Sequence, residues 1–408
     1  MTLGTASRAG SAAGAAGRSA ARGVPWRMVA VWGALFFNVL AFYTVPATVV
    51  AIPSPVGQLM TQASLVLAVG LALSVNPHIL LRPNLFLVLL SVLGVAALAV
   101  SIHSEFYVGS VYRSLRLLGF LTVLWLLSPW WGRHDMLLLR LHRRVLWLIL
   151  GSVLLGAALA PGLAFEFQGR LSGVIWPIPP TQVAHYAAVV FGTTAVLWMC
   201  RVLTGRHALL ALSVSGAMLL STHTRTALVA MVLGLLVAAA SLFLGHVRVR
   251  RVSALGALGA VMLATVFASE LTNWILRGQT TQEAGQLTGR TRVWAAVFDH
   301  QRPRFEQLFG SGMSDQSFNG LPIDSNWVAT YLDQGWFGLV VQAAIIVTLL
   351  LMAATRPRGP QRAAALFLIM YCLVASFTET GLGAPSAYML DLTVAAALLA
   401  PQARRTAP

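Results

Sequence analysis

The segment "STHTRTALVAMVLG", Ser221 to Gly234, carries one charge, Arg225, at the lip of a long apolar run with no carboxylate close by in sequence. Arg170 sits in "GRLSGVIWPIPPTQVAHY", directly before another apolar run, and Arg290 and Arg292 sit in "LTGRTRVW" of a long polar segment. Each is embedded in small and hydroxyl residues, Ser172 and Gly173, Thr222, Thr224 and Thr226, or Thr288, Gly289 and Thr291, which let a ligand come close to the backbone. A guanidinium is a planar fork of donors that meets phosphate oxygens two at a time, so several of them converging in a cleft of low dielectric suit a diphosphate. Asp324, in "LPIDSNWVATYLDQGWFGLVV", adds a carboxylate. It could serve as a base or orienting group for a hydroxyl, or Asp324 or Ser325 could simply cap the helix that follows.

The elements that must hold these residues are apolar. Of 408 residues 57% are hydrophobic and 10% charged, with the charges clustered between long uncharged runs, so the chain reads as a polytopic, all-α membrane protein. The net charge of +16 comes from arginine alone and falls in short loops, where it acts as a topology signal. Nucleic acid is therefore set aside as a partner, and membrane lipids take its place. Cys200 and Cys372 lie in or beside apolar segments without a CxxC or Cys/His cluster, so neither a disulfide framework nor a metal site is expected. Residues 1–27 read as a disordered cytoplasmic tail, and 401–408 as a second tail.

A run of about 20 apolar residues crosses the hydrocarbon core as a helix. Candidates lie near 28–51, 56–75, 84–102, 112–130, 145–163, 182–202, 206–222, 226–246 and 252–272, then 326–353, 363–378 and 384–400, which makes about twelve spans. With both termini cytoplasmic, all arginines fall inside except Arg113, Arg116, Arg170, Arg225, Arg277, Arg290, Arg292, Arg302 and Arg304. Most carboxylates, among them Asp324 and Glu379, fall outside, and only Asp135 occupies an inner loop. The location read from this is a bacterial cytoplasmic membrane. One connection, 273–325, is a large outer loop, and Val293, Trp294 and Val297 within it predict a short helix against the bundle or the membrane face. For Arg277, Arg302 and Arg304 the expectation is interfacial snorkelling or pairing with outer carboxylates. Asp391, in "SAYMLDLTV", is the best midplane acid, expected to pair with an arginine or with polar groups of a neighbouring helix.

The segments "RLSGVIWPIPPTQVAHYAA", "STHTRTALVAMVLGLL" and "LTGRTRVWAAVFDHQRPRFEQLFGSGMSD", with the later "DSNWVATYLDQGWFGLVV", resemble, in order, the blocks of the O-antigen ligase and polymerase superfamily. The family patterns are R-x-x-G before a proline-containing span start, S-x-S-R-T opening an apolar helix, S-G-R-T-x-x-W followed by G-x-G, and a late [HD]-N-x-x-L with G-x-x-G. The blocks cover about the C-terminal 60% of the chain. The resemblance implies a metal-independent glycosyltransferase without cofactor. Its donor would be a glycan on undecaprenyl diphosphate, a polyprenyl diphosphate, and its acceptor a glycan or a lipid on the outer face.

Arg170, Arg225 and Arg290 match the family's diphosphate-gripping arginines, and Arg292 and His223 stand beside them as candidate substrate-binding residues. Asp324, Arg225 and Arg290 are the candidate catalytic set, with Asp324 taking the acceptor proton. Asp324 falls where lipopolysaccharide ligases carry a histidine and where many polymerases carry an aspartate or another residue, which points away from the lipid A core reaction. Polymerisation is slightly preferred, transfer of finished glycan to another acceptor stays open beside it, and a chain-length regulator protein is a conceivable partner. His223 stands where the family has a small residue, and a structural or hydrogen-bonding role is expected for it. A transporter or flippase is the non-enzyme alternative, because it too needs spans and cationic cavities.

Overall fold

The computed structural model describes residues 26–42, 48–49, 51–133, 136–243, 245, 247–266 and 290–401. The tails apart from Trp26, Arg27 and Pro401, Asp135, and residues 267–289 with Arg277, Thr288 and Gly289 lie outside the described residues.

The chain is an assembly of helices. In order they are α1 (Trp26–Val39), α2 (Ser54–Val75), α3 (Leu85–Ser101), α4 (Tyr107–Leu127, continued by a 3-10 turn to Trp130), α5 (Leu137–Leu159) and the single turn α6 (Pro161–Ala164). There follow α7 (Pro180–Met199), α8 (Gly205–Ser221), α9 (Arg225–Phe243), α10 (Val247–Val266), α11 (Arg290–Asp299), α12 (Arg304–Phe309), α13 (Asn326–Thr355), α14 (Pro360–Ala375) and α15 (Ala387–Leu399). Proline in the first turn starts α2, α7 and α14, where its missing N–H would have no helical partner in any case. The side chains of Asn84 and Ser386 cap α3 and α15.

Each of the twelve expected spans contains a helix, but among the described residues only six helices, α2, α4 with its turn, α5, α7, α9 and α13, are both long and apolar enough to cross a membrane. Four more, α1, α3, α14 and α15, are apolar but shorter. The first expected span, 28–51, shows why. Its helix stops at Val39, and the carbonyls left bare there are taken by side chains from elsewhere. Arg116 Nη2 donates to Asn38 O at 2.7 Å, Gln182 Nε2 to Val39 O at 2.9 Å and Trp176 Nε1 to Ala41 O at 3.1 Å. Arg116, an outer arginine that topology left unexplained, thus terminates a helix.

One continuous core runs through α1 to α5, α7, α9, α14 and α15, with the tightest neighbours being α9 on α14, α1 on α2 and α7 on α8. The short helix expected around Val293 to Val297 is α11, and it packs on the bundle: Val297, Ile323, Val328, Ala329 and Leu332 form a second, smaller cluster with Val293 and Trp294 at its edge. The 273–325 connection also holds a departure from an all-helical chain, a two-residue antiparallel hairpin pairing Ser317–Phe318 with Leu321–Pro322. Its turn is Asn319-Gly320, both at positive φ, the pair that a two-residue hairpin turn selects.

Helix α13 is broken at Gly335, whose φ of 63° and ψ of −161° lie outside the helical region. The carbonyls exposed by the break are met by the segment just after α11. Arg302 Nη1 lies 3.3 Å from Tyr331 O, Ser311 N donates to Leu332 O at 3.0 Å, and Gly312 N to Asp333 O at 3.1 Å. A Cβ on Gly335 would strike the Leu308 backbone, and one on Gly310 the Asp333 backbone, so two glycines are needed for two strands of backbone to pass. Arg302 is therefore not the snorkelling residue expected from the sequence. It is 8% exposed, stacks over the Tyr331 ring at 4.2 Å and serves as a backbone cap.

Candidate functional site

Five described segments meet, four of them connections and one the first turn of α11. Arg170, in the coil between α6 and α7, is held by the turn between α8 and α9: its Nε donates to Thr222 O at 2.9 Å and its Nη2 to Thr224 Oγ1 at 3.1 Å. The same two segments are pinned by Leu171 N donating to Ser221 O at 2.9 Å. The turn owes its shape to His223, which sits in the left-handed region at φ 50° while its N–H donates back to Leu220 O. Histidine is one of the few side chains that tolerate that conformation, so the residue that departs from the resembled pattern is explained by the turn it makes. Arg225 follows as the first residue of α9, partly buried, at the end of a helix whose N-terminal amides favour an anion.

Arg290 opens α11, and its Nε donates to Asp324 Oδ2 at 3.1 Å. The pair is part-exposed, 25% for the arginine and 43% for the carboxylate, so its contribution to stability is at most about 1 kcal/mol. Ser325 occupies the N-cap position of α13, yet no side chain caps that helix, and Asp324 spends its carboxylate on Arg290. Arg292 is exposed two residues along α11, and among the described residues no hydrogen bond or ion pair ties it to the cluster.

The fifth segment, the connection between α14 and α15, supplies Glu379, which the sequence reading treated only as one more outer acid. The residue before it, Thr378, donates from Oγ1 to Thr226 Oγ1 at 3.0 Å, beside Arg225. The Glu379 carbonyl accepts from Asn326 N at 3.0 Å, two residues past Asp324. Its carboxyl is largely buried, and burial raises its pKa to about 7, opposed by the nearby Arg290 and Arg170 guanidiniums and reinforced by Asp324. Burial likewise lowers the pKa of Arg170, while Glu379 pulls it back up. The signal in the sequence was the setting, "FTETGLG": hydroxyls on both sides and glycines following, the same surroundings that singled out the arginines.

Asn326 ties these pieces together. Its backbone N–H reaches Ser376 O as well as Glu379 O, its Oδ1 accepts from Gly381 N and Leu382 N at 3.3 and 2.8 Å, and its Nδ2 donates to Gln342 Oε1 at 2.5 Å. A small polar cleft lined by Asn326, Thr330, Asp333, Gln334 and Gly383 opens next to it.

Within the bundle lies a separate ionisable cluster. Asp391 of α15 receives His142 Nε2 of α5 at 2.7 Å on one oxygen and His185 Nε2 of α7 at 2.9 Å on the other. Tyr388 meets the His185 ring edge-on at 4.2 Å, and Tyr186 and Tyr371 close the sides. The partner of Asp391 is thus a pair of histidines on two neighbouring helices, where the sequence left an arginine or other polar groups open.

Comparison with protein-family models gives no match, and comparison with curated proteins gives none either.

Proposed function

We propose that this protein is a membrane glycosyltransferase that takes a glycan from a polyprenyl diphosphate and transfers it to a glycan or lipid acceptor, with polymerisation preferred over ligation. The observation that supports the reading is the meeting of Arg170, Arg290 and the Arg225-bearing turn with Asp324 and Glu379 where four connections and the first turn of α11 converge. Three cations against the one Asp324 anion leave two positive charges when Glu379 holds its proton, which matches the two fixed negative charges of a glycosyl diphosphate. In this reading all twelve helical segments cross or enter a bacterial cytoplasmic membrane, both termini are cytoplasmic, and the cluster faces outward.

Chemically, the sugar to phosphate bond breaks with its electron pair passing to the diphosphate. Arginines fixed beforehand stabilise the charge that develops there, and stabilisation of this kind is where an enzyme gains most rate. Arg170 and Arg225 would hold the diphosphate, and Arg290, steadied by Asp324, would meet the leaving oxygen. Arg225→Ala or Arg290→Ala should abolish glycan transfer while the protein still inserts, measured as product formed by purified protein in lipid nanodiscs. Full activity in both variants would sink the assignment.

A transporter or flippase is kept as a second reading because His142, Asp391 and His185 place ionisable groups deep among the helices, where transporters carry theirs. Movement of a labelled lipid diphosphate across proteoliposomes, without any new glycosidic bond, would favour it.

A further inference from the structure

We propose that Glu379 is the catalytic base of the transfer: its carboxylate takes the proton of the acceptor hydroxyl, while Asp324 is confined to holding Arg290. The assignment rests on the glycosyltransferase reading and gives its proton a destination.

The geometry separates the two acids. Asp324 is 43% exposed and has one oxygen occupied by Arg290 at 3.1 Å, so its carboxylate is already committed to orienting that guanidinium. Glu379 is enclosed. Its own backbone is fixed on both sides, N–H to Ala375 O at 2.9 Å and carbonyl to Asn326 N at 3.0 Å, and Thr378 anchors it against Thr226. These bonds set the residue between the segment that carries Thr226 and the Asp324 loop, and among the described residues no hydrogen bond occupies either carboxyl oxygen. Burial has also raised its pKa to about 7, the value at which a base is both available at neutral pH and strong enough to act.

The step balances. The acceptor oxygen forms its bond to the anomeric carbon as its proton passes to Glu379. The bond from that carbon to the phosphate oxygen breaks, and its electrons stay with the lipid diphosphate. Protonated Glu379 then releases the proton to water. No oxidant, reductant or further reactant enters. The same proton matters for binding: neutral Glu379 leaves the site its two net positive charges, and ionised Glu379 leaves one. Donor affinity should therefore fall as pH rises through about 7 while the rate of the chemical step rises.

The test is the rate of transfer by the full chain in nanodiscs, from about pH 5 to about pH 9, with a glycan on undecaprenyl diphosphate as donor. Binding of undecaprenyl diphosphate is measured in parallel. Wild type should show kcat rising through about 7. Glu379→Gln should lose about 10²- to 10⁴-fold in kcat, the usual share of a general base, lose that rising limb, and bind the lipid diphosphate at least as tightly as wild type. Binding retained in this way shows that the variant is folded, and its preserved backbone bonds favour that. Glu379→Asp should keep a limb at reduced rate. Asp324→Asn should keep the limb and move it to lower pH, because Asp324 is one of the groups holding the Glu379 pKa up.

An unchanged limb in Glu379→Gln, or a limb lost in Asp324→Asn and kept in Glu379→Gln, overturns the assignment. Loss of lipid binding in both Glu379 variants makes the residue structural and overturns it as well. Absence of any transfer by wild type overturns the glycosyltransferase reading itself, and the proposal with it.

Discussion

Two carboxylate clusters in this protein use the same kinds of contact to opposite ends. Around Asp391 both oxygens are filled by imidazole nitrogens, the exposure is 1%, and three tyrosines and Cys372 seal the sides. Around Asp324 one oxygen is bonded, the pair is open to solvent, and a second, unspent carboxyl stands behind it. A buried charge must be fully partnered to be tolerated, and once fully partnered it has nothing left to offer a ligand. The open cluster is incompletely satisfied, and that incompleteness is its capacity. The difference lies in access: the polar atoms left unpartnered around Asp391, among them Tyr186 Oη and Tyr371 Oη, are sealed inside the bundle, whereas the Arg290 and Asp324 pair is open to a ligand.

The widest test of that contrast is to remove the acid from each. Asp391→Ala strips the partner from two buried histidines and should destabilise the protein by about 3–5 kcal/mol, seen as a lowered melting temperature in detergent or failure to accumulate. Asp324→Ala should cost at most about 1 kcal/mol by the same measurement. Equal losses at the two positions would erase the distinction between closed and open clusters.

Next comes the helix break that frames the open cluster. Gly335→Ala forces a side chain onto the Leu308 backbone at a positive φ, and should cost about 1–3 kcal/mol and depress transfer, whereas Gly359→Ala, in open space, should do neither. A smaller effect is expected for pH. Because the folded protein holds the Glu379 pKa above the usual carboxylate value, the stability associated with its neutral form is full at acid pH and is lost as pH rises through about 7. The slope of melting temperature against pH in that window should flatten in Glu379→Gln. The smallest effect belongs to ionic strength: coupling between Arg290 and Asp324 in a double-mutant cycle should fade as salt is raised to about 1 M, while coupling between His185 and Asp391 should not.

The sequence made the helices visible and left their ends and some of their partners hidden. Runs such as 56–75 and 226–246 announce helices by apolar length, and α2 and α9 follow them closely. The first span was overdrawn because its end is decided by Arg116, Trp176 and Gln182, residues far along the chain whose donors no local pattern foretells. In the open cluster, hydroxyl-rich surroundings pointed to Arg170, Arg225 and Arg290, and the Arg290 to Asp324 pair joins two of the named residues. Glu379 is hidden in the sequence because its partners, Arg290, Arg170 and Asp324, all lie far from it along the chain. His142 escaped notice among Arg140, Arg143 and Arg144, which dominate its segment, and His185 because a lone histidine on an apolar helix has no meaning until Asp391 is placed against it.

Asn326 gives the open cluster a mechanical character. It grips the 376–382 connection through four backbone groups and stands two residues from Asp324, so the two acids, distant in sequence, ride on a single rigid piece. A pull on Arg290 is transmitted through Asp324 to the piece that carries Glu379. Under the proposed function, the clamp on the diphosphate and the proton acceptor would thereby be geared together, so that a ligand seating the first would also set the position of the second.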